Sequence, residues 1–172
     1  MPGSSLWLVP PPSHPLRDIL STLINMTLPA RFPELTRVSF SPHVTLTSNV
    51  PPSRYGDKPL DWLDAVPWPS ADEVRVCFGD VRTEDVFFRR CYVKVGFEGV
   101  KKVAGIGRAG DASIDDHTLQ EIRDVVREAG VRLDGLGSGD REGFGGWEGG
   151  EVWLVPTDRP VEGWKPIAVK TL

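Results

Sequence analysis

The sequence predicts an α+β fold of antiparallel sheets with helices packed outside them. Three observations carry that prediction: two amphipathic helical segments, short runs of alternating apolar residues between them, and a strand pair closing the chain. With 172 residues and 40% hydrophobic content, the chain is long enough for one well-buried core and reads as a single domain, residues 1–172.

The elements follow in order from local chemistry. Leu6-Trp7-Leu8-Val9 is an apolar run ended by Pro10-Pro11-Pro12 and reads as a first strand, because proline cannot continue a sheet ladder. A helix follows, with Pro15 at its first position and Leu16, Ile19, Leu20, Leu23 and Ile24 on one face; Pro29 and Pro33 are expected to close it. From Val38 the period becomes two. Val44 and Leu46 then face a core while His43, Thr45 and Thr47 share the other face, on what is expected to be a central strand looking onto a concave surface. Pro51-Pro52 ends that strand. Residues 51–72 hold five prolines around Trp62 and Trp68, a surface excursion pinned by two tryptophans with a helical turn at Leu60–Ala65.

Val74-Arg75-Val76-Cys77-Phe78 alternates, and Phe87 to Val95 is rich in β-branched and aromatic residues. Gly79-Asp80 and Thr83-Glu84-Asp85 supply turn chemistry between two antiparallel strands. A second helix starts with Ser113 as N-cap and Asp115 and Asp116 in its first turn, turns Leu119, Ile122, Val125, Val126 and Ala129 inward, and ends at Gly130. Residues 135–150 contain eight glycines and read as a flexible loop. Phosphate cradling is the alternative there, but no GxGxxG or Walker spacing follows a strand. Glu151–Pro156 and Ile167–Leu172 read as closing strands joined through Asp158, Pro160 and Gly163.

Composition narrows the function classes. A net charge of −4 gives no global attraction to a polyphosphate, so a small nucleotide is expected as ligand rather than a long nucleic acid. Cys77 and Cys91 are the only cysteines and lack CxxC spacing, which points to a reducing compartment and away from a zinc or redox site. The apolar patch Leu6–Val9 is too short for a membrane span or a signal peptide, so a soluble intracellular protein is expected. No pattern sets an oligomeric state.

Three histidines are available for acid–base chemistry. His14 at a helix start and His117 in an acidic helical turn read as solvated surface residues. His43 differs. In Ser41-Pro42-His43-Val44-Thr45-Leu46-Thr47, alternation puts the imidazole and the Thr45 hydroxyl on one face about 7 Å apart, within reach of one phosphoryl group. Histidine moves protons near neutrality and threonine can donate to a non-bridging oxygen. A partly buried strand with two satisfied polar groups would give the same triplet.

Context extends the reading. Ser5 to Val9, the helix after Pro15, Phe32-Pro33 and Phe40-Ser41-Pro42-His43-Val44-Thr45-Leu46-Thr47-Ser48 resemble the N-terminal half of the fungal cyclic phosphodiesterases of the two-histidine phosphoesterase superfamily. Gly149-Gly150-Glu151-Val152-Trp153-Leu154-Val155-Pro156-Thr157, Pro160-Val161 and Trp164-Lys165-Pro166-Ile167-Ala168 resemble that family's C-terminal strands. The resemblance implies two pseudo-symmetric lobes of antiparallel sheet with outer helices around a central cleft, each carrying one His-x-Thr/Ser motif. It implies a cyclic phosphate bound between the motifs, His43 as a catalytic residue, Thr45 as a substrate-binding one, and neither metal nor cofactor. It further implies nucleoside 2′,3′-cyclic phosphates opened to 2′-phosphates, action on ADP-ribose 1″,2″-cyclic phosphate from tRNA splicing, and a cytoplasmic protein able to associate peripherally with the Golgi.

One departure stands out. The second motif is expected on a strand before the helix beginning at Ser113, yet residues 101–111 hold no histidine, and His117-Thr118-Leu119 puts the hydroxyl at the wrong spacing and on a helix. Residues 103–111 read as a deletion junction, leaving the second lobe incomplete. Three readings follow: an active enzyme whose coding sequence carries more residues at the junction, a short form that binds nucleotides or scaffolds without catalysis, or an unrelated α+β protein in which His43 is structural.

Overall fold

The computed structural model describes residues 3–33, 39–82, 91–101, 103, 116–136 and 143–172. Two antiparallel sheets and a few helices make up the α+β architecture expected from the sequence. The larger sheet has the order β2-β1-β6-β7, built from β1 (Ser4–Val9), β2 (Val44–Val50), β6 (Glu151–Pro156) and β7 (Ala168–Thr171). The smaller sheet has the order β4-β3-β5, built from β3 (Arg75–Arg82), β4 (Tyr92–Val95) and β5 (Gly146–Glu148).

The first strand sits at the centre of the larger sheet because it is apolar on both faces, as a doubly covered strand must be. All six of its residues are buried. Leu6 and Leu8 enter a core that also takes Leu46, Leu154, Leu16, Leu20, Val76, Ile122 and Val126, so both sheets and the two long helical segments share it. Trp7 and Val9 face the other way and join Val155, Trp153 and Trp164 in a second cluster.

The helix after Pro15 does not end at Pro29. It runs as α1 (Leu16–Thr22), a wide turn over Leu23–Thr27 and α2 (Leu28–Arg31), with Pro29 near the start of α2. A proline inside an α-helix lacks one donor and its ring collides with the carbonyl four residues back. Widening the preceding turn relieves both, and the Leu28 N–H accordingly donates to the Leu23 carbonyl, five residues back.

Gly79-Asp80 is likewise not a turn. It lies inside β3, where Phe78 pairs with Val95 and Val81 with Val93, so two residues of β3 stand opposite one of β4. The turn-forming pair serves as a β-bulge instead. The expected turn at residues 83–85 lies outside the described residues, as do Ser113 and Asp115.

The second helix is described as α5 (Asp116–Glu128), with Leu119, Ile122 and Val126 buried. Gly130, at φ 81°, ends it, and the Val131 N–H returns to the Val126 carbonyl across that left-handed residue. Arg123 on its polar side forks onto Asp80, with Nε 2.8 Å from Oδ1 and Nη2 3.0 Å from Oδ2, and ties the helix to the β3 bulge. The excursion after β2 holds α3 (Pro59–Ala65), whose Leu63 is fully buried, and Trp68 Nε1 donates to the Leu63 carbonyl at 2.8 Å. A short helix, α4 (Phe97–Val100), follows β4.

Part of the glycine-rich stretch is a strand. Gly146-Trp147-Glu148 pairs with Cys77-Val76-Arg75, and a Cβ on Gly146 would collide with the Val76 carbonyl. Glycine is needed there for close backbone approach, not for looseness. Of the junction at 103–111, only Val103 is described, and residues 137–142 of the glycine stretch also lie outside the described residues. Among the described residues no helix is long and apolar enough to cross a membrane.

Candidate active site

His43 lies one residue before β2 and Thr45 one residue inside it. Among the described residues β2 pairs only with β1, so the pair sits on a sheet edge and not on the central strand expected. Leu46 is 1% exposed in the core while Val44 packs partly buried against it, as the alternation required. That alternation then breaks. Trp7 stands opposite Thr45 but Leu6 opposite Thr47, so β2 carries an extra residue at Leu46, and Thr47 does not share the face of His43 and Thr45.

The cross-strand neighbour organises the site. Trp7 is directly opposite Thr45 and stacks its indole on the His43 imidazole, with ring centroids 3.7 Å apart and planes 8° from parallel. Phe40 meets the His43 ring edge-on, the ring centroids 5.8 Å apart. The imidazole is half-buried against these rings. Desolvation disfavours its charged form and pushes its pKa down to about 4, against a smaller upward pull from the Ser41 carbonyl.

The same carbonyl sets the tautomer. His43 Nδ1 lies 2.7 Å from Ser41 O, and a carbonyl oxygen can only accept, so Nδ1 carries the proton. Nε2 is left with its lone pair and makes no hydrogen bond among the described residues. A neutral imidazole with a held Nδ1–H and an open Nε2 is a proton acceptor. A phosphate brought against Nε2 would favour the charged form and raise the pKa toward neutrality, where a general base works best. Thr45, two residues on, is exposed, and its hydroxyl is able to donate to a phosphoryl oxygen.

The other two histidines are not gathered to this site. His14 Nδ1 accepts the Leu16 N–H at 3.2 Å, its ring meets Phe144 edge-on, and burial lowers its pKa. His117 is exposed on α5. The sequence singles out His43 and Thr45 but not Trp7 and the Ser41 carbonyl, which the structure places against the imidazole. Trp7 did carry a signal, being the aromatic residue of β1 with the opposite parity to Leu6 and Leu8.

On the same face, further from β2, Arg17 Nη1 pairs with Glu151 Oε2 at 2.8 Å, and that oxygen also accepts Trp153 Nε1 at 3.1 Å. The Arg17 guanidinium lies 5.3 Å from the Trp153 ring centre. Trp164 meets Trp7 edge-on at 6.0 Å. Arg17 thus offsets the charge of Glu151, the carboxylate on this face that accepts from Trp153.

The model of the cyclic phosphodiesterase-like protein family matches residues 1–129. The chain is 45% identical to the 2′,3′-cyclic-nucleotide 3′-phosphodiesterase of Neurospora crassa, with 100% of each chain covered. It is 39% identical to the protein of the same name from Phaeosphaeria nodorum, again over 100% of each. These alignments run over 214 and 201 positions against the 172 residues here, so both relatives carry residues without a counterpart in this chain.

Proposed function

From the premise that this chain belongs to the cyclic phosphodiesterase-like protein family, we propose that it binds nucleoside 2′,3′-cyclic phosphates at the His43–Thr45 face and opens them there to 2′-phosphates. The observation that carries the reading is the preset state of His43: neutral, with Nδ1–H held by Ser41, Nε2 without a hydrogen bond among the described residues, and Thr45 exposed two residues on. Water attacks phosphorus as Nε2 takes its proton, Thr45 Oγ1 donates to a non-bridging oxygen, and the bond from phosphorus to O3′ breaks. The ribose oxygen then picks up a proton. No second His-x-Ser/Thr motif is present in the 172 residues to deliver it, so solvent supplies it and turnover is slow.

ADP-ribose 1″,2″-cyclic phosphate, whose ring is opened by the same attack, is proposed as a second substrate, which would link the chain to disposal of a tRNA-splicing by-product in the cytoplasm. The residues missing relative to the longer relatives are proposed to fall at the 103–111 junction.

The test is product formation from adenosine 2′,3′-cyclic phosphate over time, with chelator present, for the chain and its His43→Ala and Thr45→Ala variants. Loss of a weak 2′-phosphate signal in His43→Ala supports the reading; turnover indifferent to His43 places the chemistry elsewhere. The count of histidines favours one second reading, a short form that holds the cyclic phosphate without opening it. Binding by the chain with no product above the His43→Ala background would select it.

A further inference from the structure

Across the larger sheet, the register aligns Thr45, Trp7, Trp153 and Val169 in one row, one residue from each of β2, β1, β6 and β7. Directly opposed residues share a face, so the row starts at the proposed phosphate contact and runs over two indoles. Trp7 is 2% exposed and taken up by its stack on His43. Trp153 and Trp164 are only half-buried, although large aromatic side chains in a finished core would be covered. Neighbouring strands lie about 4.8 Å apart, so Trp153 stands roughly 10 Å from Thr45, the span of a nucleotide from phosphate to base.

Trp153 is also fixed more firmly than an idle surface indole. Its Nε1 is bonded to Glu151, Glu151 is held by Arg17, and the Arg17 guanidinium lies over the ring. A rigid, half-open indole at base distance from a phosphate contact is a stacking surface, and every nucleobase offers a π face to it.

Resting on the reading of His43 and Thr45 as a cyclic phosphate site, we propose that Trp153, with Trp164 beside it, is the base-recognition wall, so that the preferred ligands are cyclic phosphates bearing a nucleobase. The partly exposed tryptophans then discriminate nucleotides from bare sugar phosphates.

Calorimetric titration of the 172-residue chain with adenosine 2′,3′-cyclic phosphate and with the base-free ribose 2,3-cyclic phosphate tests this directly. Stacking of one base on an aromatic side chain predicts a roughly 5- to 150-fold preference for the adenosine ligand. Trp153→Leu should erase most of that preference and leave the base-free ligand's affinity unchanged, while Trp153→Phe retains it. Thr45→Ala should weaken both ligands alike. Equal binding of the two ligands by the unaltered chain overturns this inference alone, and that comparison needs no variant to fold. Binding of neither overturns it together with the phosphate reading beneath it.

Discussion

Acidification should weaken the fold through His43. The ordinary value of the imidazole is 6.5, and in the folded chain burial holds it at about 4. Between these values the unfolded chain binds a proton that the folded one refuses, so stability rises with pH across the window. The contribution is complete above pH 6.5, is lost as pH falls through the window, and is constant below about 4. At about 1.4 kcal/mol per pH unit, the gap sets an upper bound of roughly 3.5 kcal/mol, which the ring's remaining contact with water reduces. His14, also lowered by burial, adds in the same direction, whereas Asp80 starts from 3.8 and is lowered further, outside the window. Urea unfolding of the chain and of His43→Gln, at about pH 7.5 and about pH 4, isolates the term, because glutamine carries no proton to refuse. The chain should lose about 2–3 kcal/mol more than the variant between the two conditions. Parallel losses, or an imidazole NMR titration centred near 6.5, would refute the burial argument.

Three further outcomes are expected. Side by side with the Neurospora crassa relative, this chain should turn over a nucleoside 2′,3′-cyclic phosphate about 10²–10⁴-fold more slowly, the usual effect of removing one proton-transferring group, and equal initial rates would count against a missing partner for His43. Gly146→Ala should cost at least about 2 kcal/mol in chemical denaturation, since its Cβ meets the Val76 carbonyl at a backbone φ of 148°; an unchanged midpoint would show that β5 does not approach β3 so closely. Asp80→Asn should cost about 1–2 kcal/mol by breaking the fork to Arg123, read by urea unfolding at neutral pH, and a loss under a few tenths would mean that solvent already screens the pair.

Much of the architecture was legible in single segments. β1, β6, β7, α1 and the glycine end of α5 each follow from periodicity and end chemistry that no distant contact overrides. The errors share a cause. Gly79-Asp80 and Gly145-Gly146 have turn composition, but a partner strand recruited the first as a bulge and the second as a point of close approach, and composition does not encode a partner. Pro29 does not stop its helix because a wide turn upstream removes the conflict that normally ends one. Of the candidate site, the sequence shows the spacing of His43 and Thr45 but not the surroundings of the imidazole. The Trp7 stack depends on a register between residues nearly forty apart, and the Ser41 carbonyl on a backbone path just before the strand.

The pairing of β1 with β6 has a consequence for how the chain is made. Ser4–Val9 is joined on one side by Val44–Val50 but on the other by Glu151–Pro156, which lies far along the sequence. During synthesis, at about 5–20 residues per second, the first strand and its indole must wait for roughly 140 further residues before their second neighbour emerges. Closing so long a loop is slow, and in the interval an apolar strand with an open edge is the segment a chaperone would hold or a second nascent chain would capture. The stack of Trp7 on His43 can form early, whereas the neighbouring Trp153 and Trp164 join that face only after residues 151–164 have been made.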